Sequence, residues 1–377
     1  MLVILASCRQ DVVVFPTETE QHGQAQDIEK TDSTGVKRKL VGFYLLNEAN
    51  MGSNKSTLDY YDFTTATYTR NIYGEANPTV VKELGDVGND LQIYGERLYA
   101  VINVSGKVEV MRANDCVRIG QVDVPNCRYL CFQEGYMYVT SYAGPVSLDA
   151  SHAQIGYVAK VDTATLAIVD TCYVGYQPEE MAIVGNKLYV ANSGGYLKPN
   201  YETTVSVVDL TTFRETHRIE VAPNLHRLRK DARGGLWVTS RGDYYTSGSR
   251  LYYIDTATDE LTDSVMTAAA NLCIVGDSLY LFGSDYNAET YETVVSYAIV
   301  NTKTRQIVTH HFITDGTEEK IRVPYGLMVN PVTRDVYITD ARNYVTPGYL
   351  YCYSPEGELQ WNVRTGDIPA HFALYWR

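Results

Sequence analysis

The stretch KLYVANSGGYLKPNY, Lys187 to Tyr201, decides the fold. It opens as a strand, Leu188-Tyr189-Val190-Ala191, with a tyrosine set between aliphatic residues. It breaks at Asn192-Ser193-Gly194-Gly195, residues that favour turns. It ends in Tyr196 and Tyr201 on either side of Lys198-Pro199-Asn200. A tight turn would need neither this length nor these aromatics.

The strand is not alone. A turn residue followed by aliphatic, aromatic and aliphatic residues recurs around Tyr44, Tyr99, Tyr138, Tyr189, Trp237, Tyr280 and Tyr337, at separations of 39 to 57 residues. Ahead of most of these anchors lies another strand, often opened by proline, as in VPNCRYLCF, QPEEMAIV and VPYGLMVN. Behind several comes a strand and then a D-x-x-T-like turn: Asp62-Phe-Thr-Thr65, Asp162-Thr-Ala-Thr165, Asp209-Leu-Thr-Thr212, Asp255-Thr-Ala-Thr258 and Asn301-Thr-Lys-Thr304. The Asp or Asn carbonyl can accept the N–H groups just downstream and close a hairpin. A fourth strand follows, such as AIVDTCYV.

Four strands per repeat and seven repeats predict an all-β fold, a seven-bladed β-propeller of four-stranded blades. No long helical periodicity competes with it. The C-terminal IPAHFALYW reads as a first strand without an anchor, and KLVGFYLLN near the N-terminus reads as an anchor strand without a first strand. Sharing one blade, these N- and C-terminal strands close the ring and leave no long open edge. One domain is expected, residues 38–377.

In a propeller the connection before the first strand and the one between the second and third strands share a face. The second-to-third connections are long at Asn47–Thr57, Ser141–Gly156, Asn192–Thr203, Ser240–Ser249, Gly283–Thr293 and Asp340–Gly348, and tight only at Asn103–Gly106. Closing a hairpin does not require such length. The long loops gather tyrosine in a chain with 32 Tyr against 8 Phe and 3 Trp. Tyrosine supplies rigid, amphipathic contact area. Ligand contacts are expected from Tyr142, Tyr196, Tyr201, Tyr244, Tyr245, Tyr286 and Tyr344, with Asn192, Arg241 and Asn343 among them. The approaches to the first strands add Arg128, Tyr176, Glu180, Arg227, Asn271, Tyr325 and His371 around the channel mouth. Aromatic faces with interspersed amides and guanidiniums suit a large, flat, polar ligand.

The 377 residues carry a formal net charge of −13, which argues against a nucleic-acid partner. The chain opens MLVILASC, and Leu5-Ala6-Ser7-Cys8 matches a bacterial lipoprotein processing box with Cys8 as the lipid acceptor. Residues 1–8 are therefore expected to be a signal remnant, and the polar residues 9–37 a flexible tether. No other segment approaches the ~18 apolar residues of a spanning helix. Cys116, Cys127, Cys131, Cys172, Cys273 and Cys352 form no zinc spacing and are expected to be mostly buried free thiols.

Catalytic signatures are missing: there is no HExxH, no G-x-S-x-G elbow, no P-loop and no Rossmann fingerprint. Glu179-Glu180, as neighbours on a strand, are expected to face opposite sides. His226 and His371 hold similar positions on first strands and could both reach the mouth. No catalytic or metal-binding residue and no catalytic cofactor is expected.

The LYVANSG…VSVVDLTT…IEV unit resembles the YncE-like, or YVTN-type, propeller repeat over nearly all the chain after residue 38. With the processing box, the tether and the tyrosine-rich loops, it is similar to surface lipoproteins of gut Bacteroides-type bacteria, the BtuG-like proteins. That resemblance implies capture of cobalamin and its precursor corrinoids (cobinamide among them). It also implies delivery to a TonB-dependent, BtuB-type outer-membrane barrel, and lipid anchoring at the cell surface. Other readings of the same loops are a glycan binder, a propeller enzyme of the lactonase or lyase kind, or a protein-interaction scaffold. Fold alone does not choose among them.

Overall fold

Every anchor aromatic falls on the second strand of a four-stranded antiparallel blade, and seven such blades close a ring. The computed structural model describes residues 17–31, 35–80, 84–146, 150–244, 246–287 and 292–377. The anchors occupy the spaces between blades. Tyr99 packs with Leu130 and Met137 of the following blade, Tyr189 with Leu225 and Val238, and Trp237 with Leu272 and Leu281. Tyr337 reaches round to Phe43 and Leu45 and so joins the last blade to the first. Burying one such side chain contributes about 1.5–3 kcal/mol, and the ring repeats the contact at each interface.

The D-x-x-T-like turns form as expected. Asp162 Oδ1 accepts the N–H groups of Ala164 and Thr165, at 2.9 and 2.8 Å, and Asn301 Oδ1 those of Lys303 and Thr304, each at 2.9 Å. The residue that ends each turn is left-handed: Ala66, Leu166, Phe213, Asp259 and Arg305. A non-glycine side chain there costs roughly 1–2 kcal/mol. The side-chain hydrogen bonds and the hairpin that follows hold it in place.

Ring closure is as expected. Pro369–Trp376 is the innermost strand of the first blade and pairs antiparallel with Lys37–Asn47, from Asn47 opposite Pro369 to Leu40 opposite Trp376. The tether reading is corrected in part. Glu18–Gln21 adds a fifth strand outside Thr67–Arg70, and Ile28–Thr31 pairs with Lys37–Leu40. Ile28 is buried with Phe43 and Tyr61, which makes the segment part of the fold. Between the two strands Gly23 has φ 77°, and a Cβ there would lie 2.9 Å from Trp361 Nε1. Only glycine fits that turn without displacing the indole.

The sixth blade departs from the loop reading. Where a long loop is expected at Gly283–Thr293, the second and third strands run on as Ser278–Asn287 and Glu292–Asn301. The other long connections have little regular structure of their own, and the one at 192–204 is pinned from within. Leu197 is buried beneath it, and Gly194 N–H donates to Tyr176 O at 3.0 Å. The six described cysteines are unpaired; Cys131 and Cys273 are half-buried and the rest buried. Among the described residues no helix is long and apolar enough to cross a membrane.

Candidate ligand site at the channel mouth

The site is built by a defect repeated round the ring. Near the start of the innermost strand the pairing register slips in six blades, between Cys127 and Leu130, Pro178 and Met181, Leu225 and Leu228, and at matching places elsewhere. Only the Asn271–Val275 strand is regular. Val87, Asn126, Gln177, Asn224 and Ile368, each just before its strand, have φ between 45° and 58°. A bulge puts two residues against one, so neighbouring side chains can point the same way. Here they point into the channel mouth.

Glu179 and Glu180 show the consequence. Simple alternation sends them to opposite faces; both are buried beside the bulge, and each takes its own set of partners. Glu179, 1% exposed, accepts from Arg128 Nη2 at 3.1 Å, Arg241 Nη1 at 3.3 Å and Tyr142 Oη at 2.7 Å. Burial pushes its pKa up, but the two guanidiniums and the phenol carry it below the ordinary carboxylate range. Burial opposes the Arg128 charge as well, and Glu179 restores it. Glu180, 2% exposed, accepts from Leu228 N at 2.8 Å and pairs with Arg229 Nη2 at 2.9 Å and Arg227 Nη1 at 3.6 Å.

The two histidines take separate partners. His226 Nε2 lies 2.9 Å from Tyr129 Oη. Burial, then Arg241, Arg227 and Arg128, push its pKa well below the usual value and keep the ring neutral. His371 Nε2 lies 2.8 Å from Glu48 Oε1, and Tyr325 donates to Glu48 Oε2 at 2.8 Å. Burial pushes the Tyr129 phenol up to about 12, and burial with Glu48 raises that of Tyr325.

Above this floor opens a cavity of about 650 Å³, lined among others by Arg128, Tyr196, Arg241, Asn271, Tyr325 and Tyr344. Beneath lies a narrower space of about 340 Å³ between the inner strands, with Lys230, Met328 and Phe372 on its wall. Arg227 and Asn271 line both. Tyr196, Tyr244 and Tyr344 are 45%, 64% and 45% exposed and present their rings to solvent. Tyr201 is half-buried with its ring edge-on to Tyr244, 6.4 Å between centroids. Among the described residues no group of three His, Cys, Asp or Glu side chains is placed to hold a metal ion.

Several expected contact residues also hold the framework together. Asn192 is fully buried; its Oδ1 accepts from Gly175 N at 3.1 Å and its Nδ2 donates to Ser206 Oγ at 2.8 Å. Tyr142 lies beneath Arg128, and Glu180 is held as above. Tyr176, half-buried, ties its N–H to Glu202 at 3.1 Å. Asn343 is exposed, but its carbonyl caps the turn at Val345 and Thr346. Tyr245, the Tyr286 side chain and Cys8 lie outside the described residues. The sequence reading missed Tyr129, Asp90 and Glu48. Tyr129 and Asp90 face the channel only because of the bulge, which no composition signal marks. Glu48 was discoverable: it directly follows Asn47, at the start of a loop already assigned to that face.

Seven antiparallel blades and a charged, tyrosine-rimmed mouth define a β-propeller with a polar cavity at the channel mouth on its loop face. The chain belongs to the family described as "Domain of unknown function (DUF5074)", whose model matches residues 41–360. No curated protein matches it. Among solved structures it is similar to a Kuenenia stuttgartiensis hydrazine synthase, with 15% identity, TM-score 0.58, and 75% of this chain and 88% of that one covered. It is also similar to a quinonprotein alcohol dehydrogenase-like protein from Bacteroides thetaiotaomicron, at 14% identity, TM-score 0.57 and 89% and 78% coverage. A third is the dihydro-heme d1 dehydrogenase NirN, at 10% identity, TM-score 0.53 and 88% and 75% coverage. At these identities the likeness is one of fold.

Proposed function

We propose that this protein is a ligand-capturing propeller whose ligand is a corrinoid, cobalamin or cobinamide. In this reading it is anchored to the outer membrane through lipid on Cys8, faces the cell surface, and passes the corrinoid to a TonB-dependent barrel. The observation that carries the reading is the mouth itself: solvent-facing tyrosine rings around a cavity floored by guanidiniums and amides. A corrinoid is a flat macrocycle edged with amides. Aromatic rims can pack against its edge while Arg and Asn donate to its amide carbonyls. The acid–base groups of the floor are already paired with one another: Glu48 with His371 and Tyr325, and His226 with Tyr129. That pairing favours holding a ligand over transforming it. A frame already rigid loses little entropy on binding, which supports high affinity.

The test is direct. Purified protein is mixed with cyanocobalamin and, separately, with dicyanocobinamide, and separated by size. The colour is expected to travel with the protein; if neither corrinoid co-elutes at micromolar concentration, the corrinoid reading fails.

A further inference from the structure

The hydrogen bonding of the mouth is lopsided. Each carboxylate there has two or more donors. Glu179 has Arg128, Arg241 and Tyr142; Glu48 has His371 and Tyr325. Glu180 has Leu228 N and Arg229, while Asp90 accepts from Leu91 N, Leu130 N and Gln92 Nε2. These four carboxylates are engaged.

Arg227 is the opposite case. It is 6% exposed and lines both the mouth cavity and the space below. Its Nε is buried with no partner, and its guanidinium makes no hydrogen bond within 3.5 Å among the described residues. The contact to Glu180, at 3.6 Å, is longer than a hydrogen bond, and Glu180 already holds Arg229. Its Cζ lies 5.3 Å from the centroid of the Tyr129 ring, a contact with the ring face that supplies no hydrogen bond. A guanidinium is always charged and has five donors in a rigid plane. Glu180, Asp90 and Glu48 act on its charge from a distance, but its buried Nε–H lacks an acceptor, and a donor left so is costly unless something completes its shell.

We propose that Arg227 is the anchor of an oxyanion subsite at the neck of the channel, taking a phosphate or carboxylate group of the ligand. The planar fork of Arg227 meets two oxygens of such a group at once, as it would a carboxylate. The inference takes the mouth as the ligand site, and within the corrinoid reading it assigns Arg227 to the phosphodiester that cobalamin carries and cobinamide lacks.

Calorimetric titration of the full chain with inorganic phosphate, at constant ionic strength and with acetate in parallel, tests it. Saturable binding of one anion per chain is expected. Tighter binding of phosphate marks a phosphoryl site, and tighter binding of acetate a carboxylate site. Arg227→Gln should weaken the preferred anion at least about tenfold. Should Arg227→Gln not fold, Arg227→Lys keeps the charge, loses the fork, and is expected to weaken binding by a smaller factor. No saturable binding of either anion, or unchanged binding in the folded variant, overturns the subsite. The corrinoids separate the two readings. Arg227→Gln should weaken cyanocobalamin more than dicyanocobinamide. Anion binding through Arg227 with no corrinoid bound leaves the subsite standing and removes the corrinoid reading. Corrinoid binding with no anion bound does the reverse.

Discussion

Glu179 and Glu180 are consecutive, almost wholly buried, and each answers two arginines. Removing a carboxylate from such a network strands its partners, which typically costs 3–5 kcal/mol. The network also sets an acid limit. The folded pKa of His226 lies well below its ordinary value, and that of Glu179 below the carboxylate range. Both shifts have the same sign: the unfolded chain takes up protons more readily than the native one. The stability each contributes is therefore complete above its unfolded pKa and lost as pH falls toward the folded value. For His226 that window opens near pH ~6.5, and for Glu179 near pH ~4.3. Thermal melts from pH 8 to 5 should show a falling midpoint in wild type and a flatter profile in His226→Gln. Parallel profiles would mean that His226 does not set the limit.

At the scale of elements, Glu18–Gln21 and Ile28–Thr31 form a strap across the first blade, paired with its outermost strand at one end and its second strand at the other. Tyr61 Oη donates to His22 O at 2.7 Å, and the His22 ring lies 5.7 Å from that of Trp361. Deleting residues 1–31 should expose Trp361, red-shift its emission, and lower the melting midpoint by several degrees, as loss of ~1–2 kcal/mol would in a chain of this size. An unshifted spectrum would show that the strap carries no structural weight. The strap also marks where the sequence stops being legible. The anchor aromatics could be read because they recur and each fills a gap between blades. Glu18–Gln21 is exposed throughout, and Ile28 is the one buried side chain of its strand, so neither leaves a periodic signal. The same holds for the site. Tyr196, Tyr244 and Tyr344 could be placed on the mouth from loop length alone. Arg128, Arg227 and Arg241 could be placed near it but not assigned partners, because the pairing depends on bulges that alternation does not foresee.

At the scale of the molecule, closure joins residues more than three hundred positions apart, Lys37–Asn47 with Pro369–Trp376. The entropy of bringing such distant ends together grows only slowly with separation. What it secures is large: His371, Ala373 and Tyr375 are buried on the closing strand, and Lys37–Asn47 is paired on its inner side. Truncation of the last ten residues should give a chain without the wild-type cooperative melt that elutes partly as aggregate. A truncated chain melting like wild type would contradict closure by this strand.

The same blade fixes where the two ends of the described chain sit. Thr17 bonds to Asn71 O, and Glu18 pairs with Arg70 at the mouth-side end of its strand, whereas Trp376 lies opposite Leu40 at the far end of the closing strand. A fluorophore or surface linkage attached at Thr17 therefore sits on the mouth face, at the rim of the disc, and one attached at Arg377 on the opposite face. Immobilised at Arg377, the protein would offer its mouth to solution; held at Thr17, it would turn that mouth toward the support.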